Sequence, residues 1–84
     1  MTTTQPSSFY KTVILATDYM NNAGGGSSTN PDNFQAALVA ARAAGAVLHF
    51  PNGNYAFDTS SLYQTIFEEG DVLSFGDTVT WTGV

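Results

Sequence analysis

One run of residues in the middle of the chain carries a complete set of helix signals. Asn30 is a residue type that caps helices, Pro31 suits the first turn, and Asp32 places negative charge at the positive end of the helix dipole. An alanine-rich stretch without breakers then continues to Gly45, a residue type that ends helices in the left-handed conformation. The sequence therefore predicts a helix over residues 31–44.

One face of this predicted helix is apolar. Phe34, Leu38 and Ala41 recur at helical spacing, and Ala37 lies beside them. The many alanines allow another surface to approach closely. We therefore expect Phe34 and Leu38 to be buried against a stack of strands.

Short strands are predicted on both sides of the helix. Strand-forming residues cluster over residues 9–16, before a long loop over residues 17–30 whose Asn, Gly and Ser residues offer few anchoring side chains. After the helix, strands are predicted over residues 46–50, 55–57, 63–67, 72–75 and 78–81. Strands that recur roughly every six to ten residues are typical of a sandwich, a barrel or a β-solenoid.

Composition excludes several classes of function. The chain has 84 residues, no cysteine and a formal net charge of −5, with Lys11 and Arg42 as its only Lys or Arg residues. Two cations cannot neutralise a nucleic-acid backbone or favour an anionic membrane surface. No apolar run is long enough to span a membrane, and residues 1–8 lack the apolar centre of a secretory signal. We expect no nucleic-acid partner, no membrane and no cofactor.

Residues 30–55 resemble the opening of pectate-lyase-like right-handed parallel β-helix proteins, which include polysaccharide lyases, glycoside hydrolases and phage tailspikes. The family's helix pattern is matched by residues 34–37. Its strand-and-turn pattern, GxxVxFPxGxY, is matched by Val47, Phe50, Pro51, Gly53 and Tyr55. The resemblance covers about half of the chain. The sequence departs from the family pattern before the helix, where the family's acidic pair is reduced to Asp32.

The resemblance implies a mainly β fold, in which an N-terminal capping helix is followed by the first coils of a right-handed parallel β-helix. The chain then divides into an N-terminal arm and strand, residues 1–16, and a region with the Gly-rich loop, capping helix and first coils, residues 17–84. The catalytic acids of such proteins lie on later coils. We therefore expect an opening segment that ends before any catalytic machinery is complete.

The leading functional hypothesis is a non-catalytic head module of a phage tailspike or tail-fibre protein. The resemblance implies location on the virion, at the tail or capsid surface, and partners among the other virion proteins. It also implies a homotrimer that contacts glycans only through downstream domains. Two alternatives stay open: the N-terminal part of a polysaccharide-degrading β-helix enzyme, and a small capsid or tail decoration protein.

The candidate partner-binding residues are apolar. A polar stretch, Thr2 to Ser8, has too little apolar surface to order by itself and is followed at once by strand formers. This pattern favours a segment that adds to the edge of a partner's sheet. The candidates are Phe9, Tyr10, Val13 and Ile14, together with Trp81 near the end of the chain. The alternative is that residues 9–15 form the first strand of this chain's own sheet.

Other chemistry-bearing residues have simpler interpretations. The acidic residues Glu68, Glu69, Asp71 and Asp77 fall at turns, where solvation is the expected state. His49, the only histidine, is expected to be a half-buried strand residue. The loop over residues 24–28 lacks the lysine of a phosphate-binding loop. Phe57 and Phe75 are expected in the core.

Overall fold

The computed structural model describes residues 12–58 and 65–84. Within these ranges the chain forms one α-helix and five short strands. In chain order the elements are β1 (Val13–Leu15), a 3-10 helix (Ala16–Asp18), α1 (Asn30–Ala44), β2 (Val47–Phe50), β3 (Gly53–Ala56), β4 (Leu73–Phe75) and β5 (Val79–Thr82).

The strands form two parallel sheets. One sheet has the order β1-β2-β4, and the other joins β3 to β5. Ala23 adds an isolated parallel bridge to Asn54 on the far side of β3. The chain therefore passes through both sheets in successive layers. We call β1 with Ala23 the first layer, β2 with β3 the second, and β4 with β5 the third.

The second and third layers lie in matched register, so similar side chains stack in columns. Leu48 is paired with Leu73, and Phe50 with Phe75. In the other sheet Tyr55 is paired with Trp81. Parallel strands bring such residues directly above one another, and the interior is therefore a stack of apolar columns.

The predicted helix is confirmed, with Asn30–Ala44 as its bounds. Gly45 ends it in the left-handed conformation, with φ of 62° and its N–H directed at the carbonyls of the last turn. Phe34 and Leu38 are buried, as expected, and α1 packs against β1 and β2. The capping prediction was wrong, because Thr29 occupies the cap position and Asn30 is already helical.

Aromatic rings from the helix and both sheets fill the core. The ring of Phe34 lies 5.4 Å from that of Phe50 and 6.4 Å from that of Trp81. Phe50 also contacts Tyr55 edge-on, and Phe57 is buried as predicted. Ring contacts of this kind join α1 to both sheets, so the helix and the layers share one core.

The loop before the helix is anchored, contrary to expectation. The side-chain oxygen of the fully buried Asn30 accepts a hydrogen bond from the Asn21 N–H at 2.9 Å. Its amide nitrogen donates to the carbonyls of Asn21 at 3.1 Å and Ala56 at 2.9 Å. Gly26, with φ of 74°, lets the chain pass close by, since a Cβ there would lie 2.7 Å from that of Asn21. Asn30 thus fastens the loop to β3.

Most of the strand predictions are confirmed with changed bounds: β1, β2 and β4 are shorter than predicted, β3 begins two residues earlier at Gly53, and β5 is shifted by one residue to Val79–Thr82. The strand predicted over residues 63–67 is the exception, because residues 65–67 are not in a strand and residues 63 and 64 lie outside the described ranges. The backbone of Ile66 is bonded to helix side chains instead: its N–H donates to Gln35 at 2.7 Å, and its carbonyl accepts from Arg42 at 2.8 Å. Residues 9–11 of the first predicted strand are also outside the described part.

Candidate partner-binding surface

The third layer has an open outer side. Among the described residues, β4 pairs only with β2, and β5 pairs only with β3. Phe75 of β4 stacks one face on Phe50, with ring centroids 5.2 Å apart, yet it remains 50% exposed. The expectation that Phe75 is a core residue was therefore wrong, because no described strand covers the outer side of its layer.

Apolar side chains line a recess of about 320 Å³ at this open layer. We call it the open-layer recess. Its walls come from α1, from the segment before β4, from both strands of the layer and from the end of the chain. The lining residues are Phe34, Phe67, Leu73, Phe75, Trp81 and Val84. An apolar surface that stays open to water is a feature of interaction sites.

Trp81, proposed from the sequence as a partner-binding residue, lies in the wall of this recess. Its ring is partly buried and contacts Tyr55 at 5.2 Å and Phe75 at 6.0 Å between centroids. Trp81 therefore has one side in the core and another toward the recess. The sequence did not indicate that Phe67 and Phe75 lie beside Trp81. The only signal for such a cluster was that all three are aromatic residues near the end of the chain.

The other candidate partner-binding residues belong to the first layer or precede it. Val13 and Ile14 lie in β1, which pairs in parallel with β2 at the edge of the sheet. Ile14 packs against the core, whereas Val13 is 54% exposed. Phe9 and Tyr10 lie outside the described residues. Val13 and Ile14 thus form part of this chain's own sheet, and Val13 remains accessible.

One of the four clustered acidic residues is not a solvated turn residue. Both carboxylate oxygens of Asp71 accept hydrogen bonds from the Arg42 guanidinium, each at 2.8 Å. The Glu68 N–H also donates to Asp71 at 2.9 Å, while the Glu68 carboxylate lies 3.6 Å from Arg42. Glu69 and Asp77 are exposed, as expected. Asp71 therefore joins α1 to the turn that leads into β4.

The Arg42–Asp71 pair borders a second recess, of about 290 Å³, between α1 and that turn. The hydrogen bonds from Arg42 and from the Glu68 N–H lower the pKa of Asp71 to about 2, and the same pairing with Asp71 raises the pKa of Arg42. Because the charges of Asp71 and Arg42 are already paired, neither is free to hold a ligand in this recess.

Acid should weaken this link. A carboxylate with a lowered pKa stabilises the folded state above its unfolded pKa of about 4, and this contribution is lost as the pH falls toward about 2. We expect the thermal unfolding midpoint to drop across that window and to drop less in Asp71→Asn, which has already lost the ion pair. Asp77→Asn, at an exposed turn, should retain the full drop. Equal pH profiles for the wild type and Asp71→Asn would contradict the assignment.

His49 is half-buried, as predicted, and points away from the core. Its Nδ1 shares a hydrogen bond with the Ser74 hydroxyl, 2.9 Å away, across the parallel pairing of β2 with β4. His49 lines neither of the two recesses. A Ser–His pair needs a bound substrate beside it before it can act as nucleophile and base, and this pair lies on an outer sheet face.

Asparagine side chains of the Gly-rich loop stabilise the loop itself. The Asn21 side-chain oxygen accepts from the N–H groups of Ala23 at 2.8 Å and Gly25 at 3.2 Å. Asn22 donates to the Asn52 carbonyl at 3.0 Å, which links the loop to the turn of the second layer. These asparagines were missed from the sequence, where Asn-rich composition indicated only a loop.

Metal and membrane sites receive no support from the described residues. No group of three or more His, Cys, Asp or Glu residues within residues 12–58 and 65–84 is placed to hold a metal ion. The helix in this part of the chain is not long and apolar enough to cross a membrane. Comparison with known proteins adds no candidate chemistry, because no protein family, curated protein or solved structure matches this chain.

Proposed function

We propose that this chain is a non-catalytic N-terminal head module of a phage tailspike or tail-fibre protein, with a role in virion attachment and assembly. The observation that carries the proposal is the matched parallel register of successive layers, with Leu48 on Leu73 and Tyr55 on Trp81. This register is what the first coils of a parallel β-helix require. The resemblance of residues 30–55 to the opening of such proteins supports the same interpretation.

Assembly is favoured over catalysis by the state of the carboxylates. Glycosidases use two carboxyl groups, one of them with a raised pKa so that it can donate a proton. Here Asp71 is held by Arg42 with its pKa lowered, and Glu68 lies in the same ion-pair group. The open-layer recess is lined by apolar side chains. These features suit contacts between proteins better than cleavage of a glycan.

Attachment is assigned to the N-terminal arm, and its partners would be other proteins of the tail or capsid. The candidate residues Phe9, Tyr10 and Val13 precede or occupy an edge strand whose outer side pairs with no other described strand. The proposal includes a homotrimer located on the virion. A chain without disulfides gains stability from surface shared between copies.

The test removes residues 2–11, which spares β1. We expect the shortened protein to keep its thermal unfolding midpoint. We also expect it to be lost from the phage particles that carry the intact protein, as measured by immunoblot of purified particles. The intact chain should be a trimer by light scattering at micromolar concentration. It should release no reducing ends or unsaturated products from acidic polysaccharides.

Three results would contradict this proposal. Full incorporation after the deletion would remove the role of the arm. A stable folded monomer would oppose the trimer. Reproducible polysaccharide cleavage that Glu68→Ala or Asp71→Ala abolishes, with the thermal midpoint of the variant above the assay temperature, would favour the enzyme alternative instead.

A further inference from the structure

A chemically labile pair of residues lies in the turn that joins β2 to β3. Asn52 is the only asparagine of the chain that is followed by glycine. Because glycine has no Cβ, the backbone nitrogen after such an asparagine is unhindered, and the asparagine side-chain amide is lost most readily in this context. Asn52 is therefore the asparagine at which we examine this modification.

The reaction needs only water as a co-reactant. The Gly53 backbone nitrogen gives up its proton to solvent base and attacks Cγ of Asn52, and the carboxamide nitrogen takes a proton from solvent and leaves as ammonia. Water then opens the resulting five-membered imide at either carbonyl. One product has aspartate at position 52, and the other has isoaspartate, in which the main chain runs through the former side chain. Each product carries one more negative charge than the unmodified chain.

In the folded chain one residue of the third layer holds both reacting groups. The Gly53 N–H donates to the Thr78 carbonyl at 3.2 Å, and the Asn52 side-chain oxygen accepts from the Thr78 N–H at 2.9 Å. Gly53 must separate from Thr78 before its nitrogen can lose the proton. The Asn52 carboxamide must also leave Thr78 before it can turn toward that nitrogen.

Close packing restricts the Asn52 side chain further. Gly76 passes beside it, and a Cβ at position 76 would overlap the Asn52 side-chain oxygen and lie 3.1 Å from Cγ. The Asn52 carbonyl also accepts a hydrogen bond from the Asn22 side chain at 3.0 Å. Asn52 is thus held by the loop before the helix on one side and by the turn of the third layer on the other.

The fold requires both members of the labile pair. A Cβ on Gly53 would lie 2.5 Å from the Asn22 carbonyl oxygen, so a larger residue does not fit there. The Asn52 side chain supplies the acceptor for the Thr78 N–H, which links the second layer to the third. The stacking of the layers therefore depends on a pair that becomes reactive when the layers separate.

We propose that Asn52 is a site of spontaneous deamidation, and that the turn of the third layer, residues 76–78, protects it in the folded chain. Opening of this turn permits the reaction. The isoaspartate product then prevents reclosure, because its longer main chain displaces Gly53 from Thr78. The result is an irreversible modification of chains whose layers have separated. This inference goes beyond the proposed function and does not depend on it, because every reacting group belongs to this chain or to water.

Mass spectrometry of the complete 84-residue chain tests this inference. The protein is incubated at mildly alkaline pH, either folded or in guanidinium chloride above its unfolding transition, and the peptide that contains Asn52 is analysed over time. We expect loss of ammonia and gain of water at Asn52 to be at least about tenfold faster in the unfolded chain than in the folded chain. Asn33, which precedes the bulky Phe34, is the internal control and should stay intact in both.

Two variants separate opening of the turn from unfolding of the whole chain. Gly76→Ala pushes the third-layer turn away from Asn52 and should raise the folded-state rate about tenfold. Leu38→Ala removes a buried side chain of α1 and lowers the stability of the whole fold without contacting this turn, so it should raise the rate much less. Both are compared at a temperature at which each is folded by circular dichroism.

A measurement on the unmodified sequence keeps the test valid if Gly76→Ala fails to fold. Hydrogen exchange of the Gly53 amide reports how often Gly53 separates from Thr78. Its protection factor should agree within about tenfold with the factor by which folding slows deamidation at Asn52. Protection of Gly53 without slower deamidation would contradict the role of Thr78.

Three further results would overturn the proposal. They are equal rates in the folded and unfolded wild type, an intact Asn52 in the unfolded chain, and equal acceleration by Gly76→Ala and Leu38→Ala. The isoaspartate form, purified by chromatography, should also have a lower thermal midpoint than Asn52→Asp. Equal midpoints would contradict the block to reclosure.

Discussion

Replacing Phe50 with alanine is expected to lower the free energy of unfolding by about 3–5 kcal/mol. Phe50 is fully buried, and its ring contacts those of Phe34, Tyr55, Phe75 and Trp81. The Phe50 ring therefore contacts side chains of the helix and of both sheets. Alanine would leave a cavity that these neighbours cannot fill without moving. Urea denaturation followed by tryptophan fluorescence measures the change.

Phe75→Ala is the matched control, since the two residues are paired across β2 and β4. Phe75 is 50% exposed, and the loss of its side chain should cost only about 1 kcal/mol. The difference between the two losses in the free energy of unfolding measures how exposed the outer side of the third layer is. Equal losses at both positions would show that Phe75 is covered in solution and would contradict an open third layer.

Asn30→Ala is expected to cost about 2–4 kcal/mol, the second largest effect. The change leaves the N–H and carbonyl of Asn21 and the carbonyl of Ala56 without their partner. Water can reach Asn21, which is exposed, but Ala56 is buried, so its carbonyl bears most of the penalty. We expect a lower thermal midpoint and faster amide exchange in the loop of residues 21–29.

Two further variants test the reason for this loss. Asn33→Ala, in the same helix and without a side-chain hydrogen bond to the described residues, should have little effect. Asn30→Asp keeps an acceptor for the Asn21 N–H but sets a carboxylate against two carbonyls. Its stability should rise as the pH falls and the carboxyl becomes protonated. A neutral effect of Asn30→Ala would show that the amide does not fasten the loop.

The pairing of Asp71 with Arg42 could not be predicted from the sequence. Asp71 lies in a Gly-containing turn, where an exposed carboxylate is the ordinary expectation. Its partner is 29 positions away in the chain, on the side of α1 that faces the turn before β4. Only the packing of the helix beside the third layer brings the two charges together. The same packing gives Ile66 its hydrogen bonds from Gln35 and Arg42 in place of a strand partner.

The helix and most of the strands could be predicted because their causes are local. A proline in the first turn, a run of alanines and a glycine at the end act within one turn of the backbone, whatever the rest of the chain does. The burial of Phe34 and Leu38 follows from their spacing on one face of that helix. Local patterns of this kind determined where the elements of this protein lie.

Only the tertiary structure decided which residues carry the candidate sites. The open-layer recess joins residues from Phe34 to Val84, and their neighbourhood depends on the register between layers. Asn30 changes from a capping residue to a buried anchor because β3 passes beside the helix start. Contacts between distant positions are set by how the layers stack, and a strand pattern alone does not specify its partner or its register.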